Sequence, residues 1–263
     1  MKLDDPAELA AELGRPEDWL VVLDFDGVLA PIVERPEDAA PAPGIVDAIG
    51  VLAQRTAVAL VSGRPIAELD ERLGILPVVY AGGHGAEVRT AEGERSAFVD
   101  PDTVADVLDD LAGDLDRLLR DEDGWQIERK AASLAVHHRR AAPERRDALL
   151  PRVIASLEAR RGAGPGFEVL AGKAVVELRP DGVDKGRALA WIADRIPGAR
   201  PLVLGDDVTD EDAFREADRR DGLGVLVADA PRATVARRRL RDPDAVATFL
   251  RTFAARDVAG ARD

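Results

Sequence analysis

The chain has 263 residues, 46% of them apolar and 33% charged, an ordinary globular composition with material for one large domain or two modest ones. A formal charge of −14 argues against nucleic acid or an anionic membrane as partner, and obliges any anionic substrate to find a local positive site. Cysteine and asparagine are both absent, which removes disulfides, thiol chemistry and N-glycosylation acceptors.

The first segment, MKLDDPAELAAELGRPEDW, is acidic and helix-like, with no apolar signal core. No apolar run approaches the roughly 18 residues of a membrane span, so a soluble, cytoplasmic protein is expected; separately, a monomer is expected. Short apolar runs then alternate with amphipathic segments, the pattern of a parallel sheet flanked by helices. The runs are WLVVLDF (19–25), AVALVSG (57–63), PVVYAGG (77–83), PLVLGDD (201–207) and GVLVAD (224–229). Helices are expected near 43–55, 65–73, 184–195, 210–219 and 243–255, with Asp184 and Pro243 as start signals. Residues 100–180 follow another rhythm. A helix (102–121) precedes the strand-like WQIER (125–129) and SLAVHHR (133–139), and a second helix (143–161) precedes FEVL (167–170) and KAVVELR (173–179). A helix–strand–strand unit written twice predicts an inserted α+β module at 100–180, between core segments 1–99 and 181–263. The Arg237–Arg239 run reads as a solvated helix face.

The chemistry sits at strand ends. LVVLDFDG runs from a buried strand into Asp24 and Asp26, which share one side of an extended chain and are followed by a glycine that permits a tight turn. Alone, the pair reads equally well as caps of a loop or helix. Three further elements give it partners. VSGRP ends a strand in Ser62, Gly63 and Arg64; PLVLGDDVTDED ends in Asp206 and Asp207, with Asp210 just beyond; GVDKG opens a helix with Lys185, one of only four lysines. Each has a plain alternative, namely a turn serine, an acidic first helical turn and a surface lysine. Three histidines and no cysteine make a zinc site improbable. No phosphate-cradling G-x-x-x-x-G-K-[ST] loop and no G-x-S-x-G elbow occurs.

In this order DFDGVLAPI, VSGRP, VDKG and GDDVTDEDAF resemble the four motifs of the haloacid dehalogenase-like phosphatases, and within them the trehalose-6-phosphate phosphatase family. AGGHGAE (81–87), ERKAASLAVHHR (128–139) and GKAVVELRP (172–180) extend the resemblance, which covers about residues 19–250. It implies a Rossmann-like α/β core with an inserted α+β cap acting as a substrate lid, and a Mg²⁺-dependent hydrolysis of trehalose 6-phosphate. Asp24 is implied as nucleophile, and Asp26 as general acid and then base. Ser62 and Lys185 are implied to bind phosphoryl oxygens. Mg²⁺ is expected on Asp24, the Asp26 carbonyl and Asp206, with Asp207 and Asp210 behind. The cap motifs imply sugar contacts from Glu128, Lys130, Arg139, Lys173, Glu177 and Arg179, with His84 at the mouth; Arg64 either reaches substrate or braces its loop. Alternatives are a phosphatase of sucrose 6-phosphate, mannosyl-3-phosphoglycerate or another sugar phosphate, and a non-catalytic sugar-phosphate-binding module. Three positions depart from the family: Val28 stands for a usual threonine, Asp184 for an asparagine and His138 for a tyrosine, the last relevant to sugar contacts.

Overall fold

A computed structural model describes residues 1–130, 132–164, 166–172 and 174–256, and Lys173 lies outside the described residues. The chain divides into two compact units, Met1–Ser96 with the chain from Asp184 onward, and Ala97–Val183. The first unit opens with α1 (Pro6–Leu13), capped by Asp5, and β1 (Trp19–Leu23). Then come α2 (Ile45–Leu52), β2 (Val58–Val61), α3 (Ile66–Leu73), β3 (Val79–Gly82), β4 (Glu87–Arg89) and β5 (Arg95–Ala97).

The second unit holds α4 (Pro101–Leu119), β6 (Gln126–Arg129), β7 (Leu134–His137), α5 (Pro143–Glu158), β8 (Phe167–Gly172) and β9 (Val175–Pro180). Its four strands pair antiparallel in the order β6–β7–β9–β8. Alternation divides the sheet into an apolar face (Ile127, Leu134, Val136, Val176, Leu178, Phe167) and a polar one (Glu128, His137, Glu177, Arg179, Glu168). The helices α4 and α5 bury Leu108, Leu111, Leu115, Leu149, Val153 and Leu157.

The chain then returns to the first unit with α6 (Lys185–Ala193), β10 (Arg200–Gly205), α7 (Glu211–Arg219), β11 (Leu223–Val227), β12 (Arg238–Leu240) and α8 (Pro243–Ala254). Eight strands assemble in the order β12–β11–β10–β1–β2–β3–β4–β5, parallel from β12 to β3, with β4 antiparallel to β3. The class is therefore the expected α/β one. Uniformly apolar strands fit this layout because both faces are covered. Val21, Leu23, Leu60, Leu202, Leu204, Val225 and Val227 pack with α1, α2, α3 and α8. The intervening Leu20, Val22, Ala59, Val203 and Leu226 are also buried, and α6 and α7 contact β2, β10 and β11. Each of the buried valines and leucines contributes about 1.5–3 kcal/mol.

The Arg237–Arg239 expectation is corrected. Arg238 and Arg239 lie in β12, not on a solvated helix. Arg239 is buried, and its guanidinium donates to the Asp229 carbonyl at 2.7 Å, while Arg238 pairs with Asp4 and Glu12. Long aliphatic stems let arginines line an edge strand while their heads reach partners, which a hydropathy pattern does not display.

Candidate active site

Strand order reverses between β1 and β10: β1 leads to β2 on one side, and β10 lies on the other. In open α/β sheets the crevice at such a reversal, beyond the carboxyl ends of the strands, is where ligands bind. Leu23 pairs with Leu204, and the Asp24 amide donates to the Leu204 carbonyl at 3.1 Å, so Asp24 and Asp206 emerge side by side. After Asp24 the chain turns at once, with the Leu29 and Ala30 amides both donating to the Phe25 carbonyl. Gly27 sits at φ 76°, and a β-carbon there would lie 2.3 Å from Asp206 Cγ. The glycine thus meets two needs, a left-handed turn and the close approach of the second carboxylate.

Asp24, Asp206 and Asp210 each offer a carboxylate oxygen, all within 4.8 Å of one another. Lys185, at the first turn of α6 and almost wholly buried, places Nζ 2.8 Å from Asp24 Oδ2 and 2.7 Å from Asp210 Oδ1. Burial alone would lower the Lys185 pKa, but the Asp210 and Asp24 charges outweigh it and hold the ammonium firmly protonated. One lysine does not balance three carboxyls. Burial first, and the Asp210 charge against the help of Lys185, push Asp24 up to about 7; burial, then the charges of Asp24 and Asp210, push Asp206 up to about 9. A cluster that holds protons this strongly is short of positive charge. The oxygens of Asp210 are already occupied, Oδ1 by Lys185 and Oδ2 by the amides of Asp206 and Asp207 at 2.9 and 3.0 Å. Each carboxylate oxygen has lone pairs beyond the one such a bond uses, and an all-oxygen, carboxylate-rich set suits a hard divalent cation.

The remaining candidates of this unit have definite places. Arg64 grips Asp26 in a two-point fork, Nε to Oδ2 at 2.7 Å and Nη2 to Oδ1 at 2.8 Å, and also reaches Glu68 and the Pro36 carbonyl. Ser62 is buried at the end of β2, its Oγ accepting from the Arg64 amide at 3.2 Å. His84 is buried at φ 58°; its amide donates to the Ser62 carbonyl, and its ring lies so near Gly63 that a β-carbon there would meet Nε2 at 2.6 Å. It shapes the wall behind Ser62. Asp207 caps the short turn Val208–Asp210. Asp184 caps α6 by accepting from the Arg187 amide at 2.8 Å, a duty that aspartate and asparagine share. Val28 is fully buried in the core cluster.

In the second unit the polar sheet face gathers much of the remaining expectation. Lys130 Nζ lies 3.3 Å from Glu177 Oε1, and Arg179 Nε donates to Glu168 at 2.8 Å. Arg139 stands exposed in the turn after β7, off the strand face. Two residues the motifs did not single out join the group. His137 Nε2 meets Glu128 Oε2 at 2.8 Å, and Ser133 Oγ donates to Glu177 Oε1 at 2.6 Å. Burial would raise Glu128, but the His137 hydrogen bond and the Lys130 charge keep its carboxyl below the usual range. Strand alternation was the available signal, since His137 lies two residues beyond Ala135, the cross-strand neighbour of both Glu128 and Glu177. The departing His138 points elsewhere. Its ring packs 5.7 Å from that of Trp125, and burial lowers its pKa.

Residues 22–244 match the family model described as trehalose-phosphatase. The chain belongs to the trehalose-phosphatase family. A trehalose-phosphate phosphatase of Mycobacterium marinum is 37% identical over 251 residues, covering 90% of this chain. This chain spans 63% of that relative's length. The C-terminal domain of trehalose-6-phosphate phosphatase from C. albicans superposes with a TM-score of 0.78 at 26% identity, covering 95% of each chain. A haloacid dehalogenase-like hydrolase from Bacteroides thetaiotaomicron shares the fold, with a TM-score of 0.63 at 18% identity over 89% of this chain and 98% of its own. The fold class expected from the motifs, an α/β core of haloacid dehalogenase-type fold interrupted by an α+β unit, is thus the one found. Among the described residues no helix is long and apolar enough to cross a membrane.

Proposed function

We propose that this family member is a Mg²⁺-dependent phosphatase that converts trehalose 6-phosphate to trehalose and inorganic phosphate, acting as a cytoplasmic monomer. The observation that carries the reading is Asp24 at the sheet's switch point, held against Lys185 and facing Asp206. Asp24 Oδ1 is fixed by the Phe25 amide at 2.7 Å and Oδ2 by Lys185, which aims the carboxylate and limits its rotation.

In the first step an Asp24 oxygen attacks phosphorus and the bond from phosphorus to the sugar oxygen breaks, leaving an aspartyl-phosphate. Asp26 donates its proton to the departing sugar oxygen. In the second step Asp26 takes a proton from water as that water attacks phosphorus, Asp24 leaves as carboxylate, and phosphate is released. For either transfer Asp26 must loosen from the Arg64 fork. Lys185 and Ser62 would hold phosphoryl oxygens, Lys185 offsetting charge in the transition state. Asp24, the Asp26 carbonyl and Asp206 would hold Mg²⁺, with Asp207 and Asp210 behind them. Its chemistry when bound is to screen the repulsion between carboxylate and phosphate dianion. Glu128, Lys130, Arg139, Lys173, Glu177, Arg179 and His84 remain the proposed contacts for sugar hydroxyls.

Phosphate release from trehalose 6-phosphate, sucrose 6-phosphate and other sugar phosphates, with Mg²⁺ and with chelator, tests this. Fastest release from trehalose 6-phosphate, lost in chelator and in Asp24→Asn, is expected. Rapid turnover of another sugar phosphate with trehalose 6-phosphate inert overturns the substrate. Binding without Mg²⁺-stimulated turnover overturns the enzymatic reading.

A further inference from the structure

The cation-facing loop at the end of β10 is held from behind by a residue that none of the four motifs contains. Arg232, beyond β11, donates from Nη2 to the carbonyls of both Asp206 and Asp207, at 3.3 and 2.8 Å. Its Nη1 donates to Glu211 Oε1 at 2.5 Å and to the Ala233 carbonyl at 3.0 Å. The other Glu211 oxygen accepts from the Val235 amide at 2.9 Å, so the buried glutamate ties α7 to the same segment. On the opposite side, Asp210 Oδ2 accepts from the amides of Asp206 and Asp207. The peptide between Asp206 and Asp207 is thereby held at both ends, its carbonyl by Arg232 and its amide by Asp210, while Asp210 also holds the amide of the peptide before it and Arg232 the carbonyl of the peptide after it. The φ and ψ of Asp206 direct the Cα–Cβ bond that carries its carboxylate, and the bonds to the Asp206 amide, the Asp206 carbonyl and the Asp207 amide restrain both.

We infer that Arg232 is a positioning residue for divalent-cation binding: it orients Asp206 toward Asp24 through the backbone, touching neither cation nor substrate. A guanidinium fork suits two adjacent carbonyls and a carboxylate at once, which an ammonium cannot span. The inference rests on the proposed assignment of Asp24 and Asp206 as cation ligands. Its consequence is specific. Loss of the fork leaves Asp206 in place chemically but loosely aimed, and groups that orient ligands typically govern metal affinity by about 10–100-fold.

The test measures Mg²⁺ binding by titration calorimetry on the full chain, without substrate, for wild type, Arg232→Met, Arg232→Lys and Glu211→Gln. Circular dichroism and thermal melting in chelator report the fold. Arg232→Met should weaken Mg²⁺ binding about 10-fold or more with the native dichroism retained. Arg232→Lys should recover part of that loss, and Glu211→Gln, which keeps one acceptor on Arg232, should weaken binding less than Arg232→Met. In turnover, the Mg²⁺ concentration for half-maximal rate should rise while the sugar-phosphate KM at saturating Mg²⁺ stays within twofold. Unchanged Mg²⁺ affinity in a folded Arg232→Met protein overturns the inference, as does a loss confined to melting temperature in all three variants. If wild type binds Mg²⁺ but releases no phosphate from any sugar phosphate, the functional reading fails while the binding comparison still decides the role of Arg232.

Discussion

Replacing Asp206 by asparagine should stabilise the metal-free protein and abolish its activity. In the fold this carboxyl is pushed from an ordinary 3.8 up to about 9, first by burial and then by the charges of Asp24 and Asp210. The sign follows from linkage. Above 3.8 the unfolded chain has released the proton that the fold still holds, so wild-type stability falls as pH rises from 3.8 toward 9. At about pH 7.5 some four pH units of this cost have accumulated, a ceiling of about 5 kcal/mol at about 1.4 kcal/mol per unit. Asp24 shares the same repulsion and Asp206 keeps some contact with solvent, so roughly half should be recoverable, about 2–3 kcal/mol. Urea denaturation followed by circular dichroism in chelator, at several pH values, measures it. Asp206→Asn should exceed wild type by that amount near pH 7.5, and the advantage should shrink to nothing toward pH 4. Excess Mg²⁺ should lift wild type by about 2.7 kcal/mol at a hundredfold excess over Kd and leave the variant almost unmoved. A variant less stable than wild type in chelator near pH 7.5, or a gain that does not vary with pH, would refute the argument that the cluster lacks positive charge.

Lys185→Met removes the one ammonium between Asp24 and Asp210; it should cost about 3–5 kcal/mol in chelator near neutral pH, less in acid, and lower phosphate release roughly 10²–10³-fold. Val28→Thr, at the position where the motif resemblance leads one to expect threonine, puts a hydroxyl into a fully buried apolar site. It should lower stability by about 1–2 kcal/mol with no gain in kcat, so a faster Val28→Thr enzyme would show that the missing hydroxyl matters. His137→Ala frees the Glu128 carboxylate from its partner; steady-state kinetics should show KM for the sugar phosphate rising about tenfold with kcat changed less, and an unchanged KM would place this polar face outside substrate recognition.

The sequence alone determined the α/β class, because buried parallel strands are continuous apolar runs and the helices between them carry start signals such as Asp184 and Pro243. The resemblance of four ordered motifs, and not their spacing, marked Asp24, Asp26, Ser62, Lys185 and Asp206 as one set. Tertiary structure decided what spacing does not encode. Strand order put β10 beside β1, and only that adjacency makes Asp206 a neighbour of Asp24 across some 180 intervening positions. It decided that Arg64 grips Asp26 and that Val28 turns into the core. It decided that Arg239 is buried in an edge strand and that His137, not His138, faces Glu128. Arg232 carries no local mark at all; its place behind Asp206 arises because β11 lies next to β10, which returns the following segment to the site. Local periodicity records which face of an element is apolar, while contacts between distant segments depend on how the sheet is ordered.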